Sequence, residues 1–153
     1  MFKDFKMSDI FTIGFTQKKA QSFFRLIKEN NVKKVIDVRL NNISQLAGFA
    51  KRDDLIYFLK EICECDYEHI PDLAPIDEIL KPYKKGEISW ESYEDKFMAL
   101  MAKRNIEKHF SLDNFNGSCL LCSEHLPHQC HRRLVLEYLA QTQITSKVIK
   151  HLF

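Results

Sequence analysis

LLCSEHLPHQCHRRLVLEYL, residues 120–139, decides how this chain is read. Ser118 to Cys122 is a short apolar run, the composition of a buried strand. It breaks into a polar loop that ends in Cys130-His131-Arg132-Arg133, and helical spacing follows to residue 141. Cys122 therefore falls at a strand's carboxyl end, and Cys130, His131 and Arg132 fall at a helix start. Ligands of open α/β sheets bind outside the carboxyl ends of the strands. A helix start adds unpaired N–H groups and a partial positive charge, which favour anions and thiolates.

Outward from this stretch the same alternation repeats. Asp9–Gly14 is rich in β-branched and aromatic residues and reads as a strand. Ala20, Phe23, Phe24 and Ile27 share one helix face within residues 18–31. Residues 32–38 form a second strand, 40–52 a polar, irregular loop, and 53–63 a second helix through Leu55, Ile56, Leu59 and Ile62. A third strand spans 66–70. A proline-bearing connection over 71–88 holds one short helix at 76–81, and Ser89 caps a helix over 90–104. Residues 106–110 add a turn, and 147–152 form the last strand. Strands alternating with helices imply a single α/β domain over 9–153, after a flexible lead-in at 1–8. The expected architecture is an open, mostly parallel sheet of about five strands with helices on both faces, a Rossmann-like arrangement. Parallel strands would bring Gly14-Phe15-Thr16, Asp37-Val38-Arg39, His69-Ile70-Pro71 and Cys122-Ser123-Glu124 to one edge, where a pocket forms.

Composition narrows the function classes. The chain has 153 residues, 45% hydrophobic and 29% charged, which suits one globular domain. A net charge of +2 is too small to call for nucleic acid or a membrane surface, and nucleic acid stays open as a partner. The basic pairs read as solvated, except Arg132-Arg133 at the helix start. Residues 1–11 lack the apolar core of a secretory leader, and no run approaches the ~18 apolar residues of a membrane span. The expected setting is cytoplasmic, with all five cysteines reduced and no disulfide. The glycines are isolated at Gly14, Gly48, Gly86 and Gly117, which excludes a P-loop nucleotide hydrolase.

The candidate catalytic residues are Cys122, Glu124, Cys130, His131 and Asp37. Either cysteine would serve as a nucleophile or proton donor in its thiolate-favouring place, against the plainer role of a buried packing residue. His131, Glu124 and Asp37 would move protons, and Asp37 would alternatively orient His131 or His69. The candidate substrate-binding residues are Arg39, Arg132, Gly14, Thr16 and His69. Arg132 would clamp a phosphate or carboxylate, or else bridge to Asp37 or Glu124. Trp90 and Tyr93 read as core rather than as a stacking surface. No cofactor is expected, because Cys122, His125, His128, Cys130 and His131 fit none of the familiar paired-ligand spacings. Zinc is the alternative, with Cys122, Cys130 and His131 as ligands.

The motifs Thr12-Ile13-Gly14, Asp37-Val38-Arg39, His69 with Pro71 and Leu73, Trp90 with Tyr93, and Leu121-Cys122-x-Glu124-x-x-Pro127-x-x-Cys130-His131-Arg132 occur in that order. In this the chain resembles the family called domain of unknown function 488, from about residue 10 to the end. The last motif is the specific one. Gly14-Phe15-Thr16 stands where members often carry Gly-His-Ser, and residues 39–49 resemble one branch of the family. The resemblance implies an α/β fold and a cysteine-histidine-arginine site, and no particular reaction. The reading that results is an enzyme acting on an anionic or phosphate-bearing substrate, a nucleotide or a nucleic-acid-like molecule. The alternatives are a non-catalytic binding module for such a ligand and a small metal-binding protein.

Overall fold

A computed structural model describes residues 9–143 and 147–153. The expected lead-in at 1–8 lies outside the described residues. Five strands form one sheet: β1 (Asp9–Gly14), β2 (Lys34–Asp37), β3 (Asp66–His69), β4 (Ser118–Cys122) and β5 (Val148–Leu152). Their order is β3-β2-β4-β1-β5, and every neighbouring pair is parallel. The expected fold class holds, with a sheet parallel throughout. β4 is central and wholly buried, which explains why Ser118–Cys122 is an unbroken apolar run rather than an alternating one. β3 lies at an edge, and its residues alternate between exposed and half-buried.

Helices α1 (Ala20–Glu29) and α2 (Arg52–Cys63) cover one face. Phe23, Phe24, Ile27, Leu55 and Leu59 pack there on Phe11, Ile13, Val35, Cys119 and Leu121. Helices α3 (Asp77–Lys84), α4 (Trp90–Lys103), α5 (Ile106–His109) and α6 (His131–Thr142) cover the other. On that side Tyr93, Phe97, Met101, Leu134, Val135 and Leu139 meet Ile10, Ile36, Leu120 and Cys122. The period of two along β4 sends Cys119 to the first face and Cys122 to the second. Cys122 therefore shares a side with α6, whose amino end follows Cys130.

Two connections differ from the sequence reading. α3 runs through Pro82 to Lys84 instead of ending before it. Proline forfeits one backbone bond, and the amides of Lys85, Gly86 and Glu87 close the end on the carbonyls of Lys81, Tyr83 and Pro82. The loop after β2 is not wholly irregular: Gln45–Ala50 winds into 3-10 turns broken at Gly48, whose φ of 57° favours glycine. Further 3-10 turns occupy Pro71–Leu73, Leu112–Phe115 and Pro127–Gln129. Among the described residues no helix is long and apolar enough to cross a membrane.

Candidate functional site

Register places the strand ends side by side. Gly14 pairs with Cys122, and Asp37 lies between Leu121 and His69. A cavity of about 100 Å³ opens above this edge, lined by Arg39, Asn41, Tyr83, Lys84, Trp90, Tyr93, Cys122, Glu124, Cys130 and His131 among others. Five of the ten candidate residues thus share one hollow: Arg39, Cys122, Glu124, Cys130 and His131. A larger hollow of about 460 Å³ opens between α1 and α2, with Phe24, Phe58 and Ile62 in its walls, and none of the candidates reaches it.

Cys122 and Cys130 are drawn together by the strand end and the helix start. Their sulfurs meet as a disulfide, against the expectation of five free thiols, while Cys63, Cys65 and Cys119 stay free. The Cα atoms of the pair stand 7.3 Å apart. Disulfides usually span about 4.4–6.8 Å, and above ~7 Å bridging needs backbone movement. In the reduced chain the same two side chains are thiols converging on one point. His131 joins them: one ligand atom from each of the three residues lies within 4.8 Å of the others, and all three residues are buried.

His131 is the first residue of α6, and its Nε2 bonds the Val38 carbonyl at 2.6 Å. A carbonyl only accepts, so Nε2 carries the proton and Nδ1 keeps a lone pair. Burial drives the imidazole down to about 4, so it is neutral at ordinary pH. The ring packs against Phe97 at 5.4 Å between centroids. The apolar wall of α4 thus supplies the desolvation, and Val38, just past β2, fixes the tautomer.

Arg39 and Asp37 form a forked pair, Nε to Oδ1 and Nη2 to Oδ2, each at 2.8 Å. Asp37 also accepts from the Arg39 amide and from the Tyr67 hydroxyl, the latter at 2.6 Å, with Asn42 beside it. Burial alone would push its carboxyl up. The Arg39 fork and the Tyr67 hydroxyl outweigh that and hold it below the ordinary carboxylate value. With its lone pairs taken, Asp37 is a brace for Arg39 and does not line the cavity. Arg39 is 3% exposed, its guanidinium sits 5.4 Å over the Phe15 ring, and its Nη1 has no partner among the described residues.

The other candidates bond within the chain. Arg132 is fully buried and lines no part of the cavity. Its Nη1 donates to the Glu124 carbonyl at 2.6 Å and to Cys122 Sγ at 3.3 Å, and Nη2 donates to the His125 carbonyl. It bridges to the backbone of residues 124 and 125, where sequence reasoning allowed a bridge to a carboxylate. Burial lowers its pKa to about 10, which leaves it charged at neutral pH. Gly14 faces the same carbonyl, and a Cβ there would overlap the Glu124 backbone. Thr16 ties down Ser123 through both its amide and its hydroxyl, and it faces a neighbouring hollow of about 190 Å³ with Glu124, His125 and His128. His69 donates from Nε2 to the Arg39 carbonyl at 2.9 Å. Gly14, Thr16 and Arg132 hold the cysteine loop, and His69 with Asp37 holds Arg39.

Sequence reasoning missed Lys84 and Tyr83, which come from the far end of α3, and Asn41. Nothing local to those residues marks them. It also placed Trp90 and Tyr93 in the core alone. Tyr93 is buried in the core, yet both rings form part of the cavity wall, stacked at 5.2 Å and 23°.

Comparison with known proteins bears on the whole arrangement. No curated protein and no solved structure matches the chain. The family "Domain of unknown function DUF488" matches residues 19–139, most of the chain, including the Asp37-Val38-Arg39 segment and the cysteine loop. The protein therefore belongs to the DUF488 family.

Proposed function

We propose that the cavity at the carboxyl edge of the sheet is the active site of an enzyme for an anionic, phosphate-bearing or nucleotide-like substrate. Arg39 carries this reading. Its guanidinium is buried, held rigid by Asp37, and left with one unpartnered Nη1 in a residue that lines the cavity. A buried donor without an acceptor costs on the order of 1–3 kcal/mol, and more when charged. A ligand oxyanion relieves that cost and adds a charge-assisted bond. Lys84 adds positive charge at the wall, and Trp90 and Tyr83 offer flat apolar surface to a ring. Cys122, Cys130, His131 and the exposed carboxylate of Glu124 stand around the same space and supply the groups that react or move protons.

The test is calorimetric titration with inorganic phosphate, nucleoside monophosphates and small carboxylates, on wild type and Arg39→Lys. Lysine keeps the charge and loses the fork. Saturable binding weakened at least tenfold in the variant, with product formed from one of the bound anions, is the expected result. Equal affinity in the two proteins would refute the Arg39 seat. Tight binding without product from any bound anion would leave a binding module and refute the enzyme.

A further inference from the structure

We propose that Cys122 Sγ, Cys130 Sγ and His131 Nδ1 form a three-ligand site for one zinc ion, with the fourth coordination position on the cavity. The site adds a reaction centre to the anion pocket and rests on that reading only for the use made of the fourth position.

Four observations converge. First, the two sulfurs and one ring nitrogen of His131 lie within 4.8 Å of one another, on residues that are all buried. This comes from two separate elements. β4 delivers Cys122, and the extended backbone of Cys130 (φ −144°, ψ 139°) turns into helical His131, so that adjacent residues reach one point.

Second, a Cα separation of 7.3 Å is too wide for a relaxed disulfide. Two thiolates on one zinc, each about 2.3 Å from the metal at a tetrahedral angle, hold their sulfurs roughly 3.8 Å apart and accept the wider span.

Third, the histidine is prepared. Nε2–H donates to the Val38 carbonyl, which fixes the ring, so Nδ1 presents its lone pair. Zinc-ligating histidines are oriented in the same way by a carbonyl or carboxylate on the second nitrogen. Fourth, Arg132 Nη1 donates to Cys122 Sγ at 3.3 Å from a fully buried guanidinium. A cation there stabilises sulfur as thiolate, the only form that binds metal. Two thiolates and an imidazole are soft and borderline donors, which select zinc over magnesium or calcium. Three protein ligands beside an open cavity match the pattern of zinc sites that keep one position for water or substrate.

The chain is purified under reducing conditions with added zinc, and metal and thiols are then counted. One zinc per chain is expected. Removing it with a chelator and unfolding the chain should then expose all five thiols. Cobalt in place of zinc should give thiolate-to-metal charge-transfer absorption that falls in Cys122→Ser and changes in His131→Gln. These bands read the site even where a variant folds poorly. Arg39→Lys should keep full zinc while losing anion affinity, so failure of the anion seat and failure of the metal site are read separately. The proposal is overturned if no stoichiometric zinc is bound. It is also overturned if only three thiols titrate under reducing purification, which would mean a stable Cys122–Cys130 disulfide, or if Cys122→Ser/Cys130→Ser retains its zinc.

Discussion

Replacing Asp37 by Asn leaves Arg39 charged, 3% exposed and without its counter-ion. Breaking a buried pair by removing one partner costs about 3–5 kcal/mol. Asn is nearly isosteric and keeps one carbonyl oxygen for Arg39 or Tyr67, so about 3 kcal/mol is expected. For a domain of this size, 1 kcal/mol moves Tm by about 2–4 °C, so the variant should melt roughly 6–12 °C lower at neutral pH. The sign with pH follows from the depressed carboxyl. Its contribution is fully present above the ordinary value of 3.8 and is lost as pH falls through the lower folded-state value. Thermal unfolding followed by circular dichroism from pH 7 to pH 3 should therefore show a constant gap between wild type and variant down to about pH 5. The gap should then narrow as wild-type Asp37 takes up a proton. A neutral-pH gap below about 1 kcal/mol would refute the view of Asp37 as the brace of Arg39. A gap that persists unchanged into acid would refute the depressed carboxyl.

Gly14→Ala should destabilise by about 1–3 kcal/mol, read as a lower urea midpoint, because its Cβ overlaps the Glu124 backbone and crowds Arg132; an unchanged midpoint would mean that the cysteine loop yields freely. Among the free thiols, alkylation of the native protein at pH 8 should mark half-buried Cys63 first. Cys65, pushed up to about 12 by burial, and Cys119, raised by complete burial, should stay unmarked until the chain unfolds. Mass-spectrometric mapping that finds Cys119 labelled early would contradict its place under α1 and α2.

Most of the fold was legible because strands and helices carry opposite periods. The unbroken apolar run at 118–122 marked a strand covered on both faces, and Phe23, Phe24 and Ile27 marked a helix against it. The edge that gathers Gly14, Asp37, His69 and Cys122 followed from parallel pairing alone. Which of those residues face the cavity did not follow. Arg132 and Arg39 are both arginines beside carboxyl ends, and each keeps one nitrogen without a partner among the described residues, but two backbone carbonyls and a sulfur hold Arg132 away from the cavity that Arg39 lines. Lys84 and Tyr83 were hidden because α3 is brought over the sheet by tertiary packing, with no local signal. The meeting of Cys122 with Cys130 depends on the short 3-10 turn at Pro127–Gln129, whose return path spacing does not specify.

The strand order has a consequence for how the chain comes together during synthesis. β2 and β3 are close in sequence and can pair as soon as β3 has emerged behind α2. β1, buried along its whole length in the finished protein, pairs only with β4 and β5, so Phe11 waits for Cys119 and Lys150. A ribosome thus releases this apolar strand well before its partners, and pairing across such a separation is slow. Until residue 118 appears, β1 has no neighbour in the sheet and depends on α1 or a chaperone for cover. The segment that gives β1 its first neighbour, residues 118–139, is also the one that carries Cys122, Cys130 and His131. No nascent chain therefore displays the assembled centre before its hydrophobic scaffold can close.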